Sequence, residues 1–265
     1  MTTTVCRKTV LVAFIVIMVA RSADCEDRTT PKESGTGKPT VLFLFWNTGH
    51  LSHRYTKRYL ADLERRGFEV SMVRHQDIAW DLISKYNALV FASVPNWSDK
   101  EQEPTEEWKK SVLLLRRYLD EGGGILMTDW PGPFRYSSLM HFLGPYGFTR
   151  LTDSVHNAEG VAATQIRLRY ATTTSVIESP VTKEITRIWY PVYHDPAHVW
   201  NPTTDAFAGD KSWSVVVHGG PSSYSKPHSY GVESVDRHMR KKGYARNVPL
   251  YAIRELPSGG RLALP

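Results

Sequence analysis

The sequence has 265 residues, 41% of them hydrophobic and 23% charged, with a formal net charge of +6. A chain of this length and balance can bury one sizeable core, which sets it apart from disordered and low-complexity chains. Acidic and basic residues are interspersed apart from a cluster at Arg237, Arg240, Lys241 and Lys242, so the charge reads as a solvated surface and nucleic acid is not an expected partner.

Arg7 and Lys8 precede an apolar run from Val10 to Ala20, and the small residues Ser22 and Ala23 follow. Charge, apolar core and small residues in that order form a secretory signal peptide. The run falls well short of the about 20 apolar residues that a spanning helix needs, so no stable membrane insertion is expected. Residues 1–25 are read as the signal peptide and 26–39, rich in Pro, Gly, Ser, Thr and charge, as a flexible linker. The expected location is secreted or periplasmic. The two cysteines are Cys6 and Cys25, so no thiol follows residue 25. A retained Cys25 would have only another chain to pair with.

Thr40 to Trp46 (TVLFLFW) is a continuous apolar run suited to a strand buried on both faces. Ser52 is placed to cap a helix in which Tyr55, Tyr59, Leu60 and Leu63 share one face and which Gly67 ends. Phe68 to Val73 reads as the second strand and Asn87 to Val94 as the third. Pro104 opens a second long helix, with Trp108, Val112, Leu115 and Leu119 at helical spacing. Gly122, Gly123 and Gly124 stop it, and Ile125 to Asp129 is a fourth buried strand. Right-handed crossovers then predict a doubly wound, mostly parallel sheet in the order 2-1-3-4, with helices on both faces.

The second half is less regular. SWSVVVHGG carries an apolar strand ending at His218, and residues 219–247 form a polar stretch long for a connector, expected to be a lid or an interaction surface. Gly259, Gly260 and Arg261 turn into Leu262, Ala263 and Leu264. The chain stops as that strand begins, which suggests a fragment or one module of a longer product.

The segment VLFLFWNTGHLSHRYTKRYLADLERRGFEV, then NALVFASVPN, then LLLRRYLDEGGGILMTD, resembles the class I glutamine amidotransferase-like superfamily, and within it the ThuA-like branch. The likeness covers roughly residues 39–132. SPVTKEITRIWYP, SWSVVVHGG and VPLYAIRELPSGGRLAL match the close of such domains more loosely, through a Pro-X-Thr turn before a late strand and a Gly-Gly-Arg turn before the last. The resemblance implies a flavodoxin-like α/β fold over residues 40–265 and a connection with carbohydrate metabolism. It also implies a cysteine nucleophile on a strand-to-helix turn, and here the sequence departs from it. Val94, Pro95 and Asn96 follow the third strand, and Trp130 and Pro131 follow Asp129. Thiol-dependent glutamine hydrolysis is therefore excluded by composition. A serine substitute lacks the Gly-X-Ser-X-Gly elbow.

Ligands of open α/β sheets gather at the carboxyl ends of the strands. Those ends carry Asn47, Thr48, Gly49 and His50, then Asn96 and Trp97, then Asp129 and Trp130. His50 and Asp129 suit proton transfer, the amides suit hydroxyl recognition, and the indoles suit stacking on a sugar ring. Each also has a plainer reading, since His50 and His53 flank a helix start, Asp129 sits in a turn, and Trp46 and Trp130 suit core packing. Tyr193-His194-Asp195-Pro196-Ala197-His198 has histidines four apart, but Asp195-Pro196 is a turn signal that argues against one helical metal site. His228 and His238 take no role. Neither cofactor nor metal is expected. The expected partners are a carbohydrate or small polar ligand, and further domains or a second copy. The expected function is a carbohydrate-related binding or accessory module, the alternative a hydrolase or isomerase acting on a sugar derivative through His50 and Asp129, as acid and base or as ligands of an assisting metal.

Overall fold

The structure is a computed structural model, and it describes residues 37–45, 54–91, 104–127, 136–149, 153–157, 161–162, 169–192, 206–227 and 246–264. It contains a seven-stranded sheet. The first four strands are β1 (Thr40–Phe45), β2 (Glu69–Arg74), β3 (Ala88–Phe91) and β4 (Gly124–Met127). The rest are β9 (Ser214–His218), β11 (Pro249–Glu255) and β12 (Arg261–Leu264), and the order across the sheet is β2-β1-β3-β4-β12-β11-β9. Neighbouring pairs from β2 to β12 are parallel. The expected order 2-1-3-4 is the observed one, in an α/β fold with a mostly parallel sheet.

The chain forms two compact units, one of residues 1–129 with 253–264 and the other of 130–252 with 265, so the division falls within β11. In the first unit every residue of β1, β3 and β4 is buried, which is why these strands read as unbroken apolar runs. β2 is the edge strand, and its Met72 is 44% exposed. Helix α1 (Arg54–Arg65) closes where the Phe68 amide bonds the Leu63 carbonyl at 3.2 Å, with both side chains buried. After the short helix α2 (Trp80–Ile83) and β3 comes α3 (Glu106–Asp120). Thr105 caps α3 by accepting the Trp108 amide at 3.2 Å, so Pro104 stands one residue before the cap. Its buried stripe contains Trp108, Val112, Leu115 and Leu119 as their spacing predicts, together with Ser111 and Tyr118. The Tyr118 hydroxyl donates to the Tyr86 carbonyl at 2.9 Å, and burial pushes its phenol pKa up.

The second unit holds helix α4 (Tyr136–Leu143) and two small antiparallel assemblies. β5 (Asp153–Asn157) pairs with β10 (Ser223–Pro227), and β7 (Arg169–Thr173) lies between β6 (Val161–Ala162) and β8 (Ile188–Val192). Residues 223–227 of the polar stretch 219–247 therefore form a strand, with the Tyr224 ring stacked on its cross-strand partner His156 at 5.2 Å. Phe148, Phe207 and Trp213 form an aromatic cluster, and Trp213 Nε1 donates to the Tyr146 carbonyl at 2.7 Å. The expected Pro180-Val181-Thr182 turn precedes β8, with the Thr182 hydroxyl bonded to the carbonyl of Ile177 at 2.5 Å.

Candidate functional site

β1, β3 and β4 run in the same direction as neighbours, and their carboxyl-terminal residues lie side by side: Leu44 pairs with Phe91, and Phe91 with Met127. Adjacent strands stand about 4.8 Å apart. The chain therefore reaches the same end of the sheet three times, just before the segments that carry the candidate residues. Asn47, Thr48, Gly49, His50, Asn96, Trp97, Asp129 and Trp130 themselves lie outside the described residues, as do His53, His194, Asp195, His198, His228 and His238. Of the candidate histidines, the described one is His218, the last residue of β9. Its amide donates to the Ser175 carbonyl at 3.0 Å, and burial lowers its imidazole pKa.

At the carboxyl end of β2 the structure assembles a cluster that the sequence did not announce. His75 follows Arg74 directly and is fully buried. Its Nδ1 lies 3.3 Å from the Ser111 hydroxyl of α3, which is itself 3.1 Å from the His75 carbonyl and 3.0 Å from the Glu107 carbonyl. The imidazole meets Trp108 edge-on at 5.8 Å, and Trp108 meets Phe91, the last residue of β3, at the same separation. Burial lowers the His75 pKa to about 4, against partial opposition from the carboxylates of Glu107 and Asp77. A neutral imidazole enclosed in this way holds elements together; with no exposed surface it is not placed to exchange protons with a substrate. The available signal was a lone histidine ending an otherwise ordinary strand, too weak to single it out.

A second polar cluster lies in the other unit. The Tyr190 hydroxyl on β8 accepts the Gly220 amide at 3.3 Å and Asn157 Nδ2 at 3.2 Å, while the Ser222 hydroxyl reaches Asn157 Oδ1 at 3.3 Å. It joins three chain segments. Among the described residues no group of three His, Cys, Asp or Glu is placed to hold a metal ion, and no helix is long and apolar enough to cross a membrane.

No protein-family model matches this sequence, and no curated protein matches it. Solved structures similar to this chain include two that span most of it. One, described as "mmIFT52 N-terminal domain", has a TM-score of 0.55 at 15% identity, over 85% of this chain and 84% of that one. The other, a glutamine amidotransferase from Thermotoga maritima, has a TM-score of 0.44 at 10% identity, over 86% of this chain and 74% of that one. At such identities the first likeness is one of fold alone, shared along most of both chains.

Proposed function

We propose that this chain is an exported, thiol-independent domain of the class I amidotransferase-like kind, nearest in sequence to the ThuA-like branch, with helices on both faces of its sheet. Its role is to bind a carbohydrate or similar small polar ligand at the carboxyl ends of β1, β3 and β4. The observation that carries this reading is the shared register of those three strand ends. Three chain segments rich in amides and indoles start from one end of the sheet, where open α/β sheets take their ligands. The absence of any cysteine after Cys25 favours binding over the thiol chemistry of the resembled enzymes.

Titration calorimetry with a panel of mono- and oligosaccharides tests the proposal. At least one sugar is expected to bind, with Trp97→Ala and Asp129→Ala each weakening it about tenfold, or 1.4 kcal/mol. Absence of binding across the panel, or wild-type affinity in both variants, overturns it. Turnover of a sugar derivative, lost in His50→Ala and Asp129→Ala, would favour the hydrolase or isomerase alternative.

A further inference from the structure

We propose that His75 is an acid-sensitive latch, holding the N-terminal half of α3 to the carboxyl end of β2 while the imidazole is neutral and releasing it when the ring takes up a proton.

The geometry comes first. A serine hydroxyl has a single proton, and that of Ser111 lies within reach of the Glu107 and His75 carbonyls. With the proton on either carbonyl, the free lone pair of Oγ faces Nδ1 and accepts its hydrogen. One residue of α3 thereby grips both the backbone and the side chain of His75. The ring also packs on Trp108, itself without exposed surface and seated on Phe91. The backbone of His75 and its imidazole are thus both held by Ser111, and the ring is backed by Trp108.

A second proton would place a full charge in that enclosure. Among the described residues, the carboxylates that favour the charged ring are Glu107 from α3 and Asp77 from the turn after β2. Both are exposed, and Asp77 is already paired with Arg74 at 2.6 Å, so water and the guanidinium weaken what they can offer. Burial outweighs them and lowers the pKa from 6.5 to about 4. The sign follows from linkage: the latched state binds its proton less readily than an opened state with the ring in water. The latch is therefore at full strength above pH 6.5 and weakens as pH falls from 6.5 towards 4.

Hydrogen exchange of the α3 amides in the full chain, followed from pH 7.5 to pH 5 and corrected for intrinsic rates, reads this directly. The opening constant is expected to rise about 30-fold over that interval. In His75→Asn, whose amide replaces the Nδ1 donor without titrating, it should stay nearly flat. Equal steepness in the variant, or flat protection in the wild type, overturns the proposal. Should His75→Asn fail to fold, NMR titration of the wild-type imidazole decides. A ring that stays neutral in the folded protein down to pH 5 supports the latch, and one titrating near 6.5 refutes it.

Discussion

Tyr190 has no exposed surface, yet its hydroxyl accepts hydrogen bonds from Gly220 and from Asn157. Ser223, three residues after Gly220, is equally buried, and its hydroxyl has no hydrogen-bond partner among the described residues. The two hydroxyls should therefore respond oppositely to deletion. Tyr190→Phe strands a buried amide and a carboxamide donor and is expected to cost about 1–3 kcal/mol. Ser223→Ala removes a desolvated group that gains nothing in return, and is expected to be neutral or to stabilise by up to about 1 kcal/mol. Urea midpoints of the two variants check the contrast, and a destabilised Ser223→Ala would show that its hydroxyl does bond in solution. Neither role was legible beforehand. A serine in Gly-Gly-Pro-Ser-Ser looks like any loop residue, and Tyr190 gains its meaning from partners about 30 residues away in both directions along the chain.

The elements divide by how their sequence encodes them. β1, β3, β4 and the stripe of α3 are buried as their patterns predict, because a strand covered on both faces or a helix covered on one must write that burial into consecutive or periodic apolar residues. β5, β7 and β10, with sequences DSVHN, RYATT and SYSKP, carry too few apolar residues to mark them as strands, and only pairing reveals them. The hairpin between β11 and β12 was legible from Gly259-Gly260-Arg261, but the two glycines serve different ends. Gly259 has φ +84 with open space where a Cβ would stand, whereas a Cβ on Gly260 would lie 2.1 Å from the Leu119 carbonyl oxygen of α3. Gly259→Ala is expected to cost about 1 kcal/mol through backbone strain. Gly260→Ala should cost about 2–3 kcal/mol, because the helix end must move and with it the bond from the Ser258 hydroxyl to Leu119 at 2.9 Å. Thermal melts of the two variants rank them, and a smaller loss at Gly260 would mean that the hairpin is not pressed against α3.

At the scale of the whole chain, the first unit is completed by residues from the far end of the sequence, since β12 enters between β4 and β11. The sequence marks β12 as a strand but not as a central one; an apolar run can be read locally, whereas its neighbours across the sheet cannot. The short turn at residues 256–260 forces β12 antiparallel to β11 while it pairs in parallel with β4, Leu262 facing Ile125. Leu262 and Ala263 are fully buried, and even Arg261 is only 8% exposed. A chain ending at Ala252 would consequently expose the second edge of β4, whose four residues are all buried, as a flat apolar template for aggregation. Long-range closure of this kind also comes late in folding, because the loop entropy must be met before the pairing rewards it. Removal of residues 253–265 is expected to abolish cooperative unfolding and drive the product into the insoluble fraction. Expression of the shortened chain, with circular dichroism and a thermal melt on any soluble material, tests this. A soluble product with a single sharp transition would mean that β1, β2, β3 and β4 form a self-sufficient sheet and that β12 covers an edge the rest of the chain does not need covered.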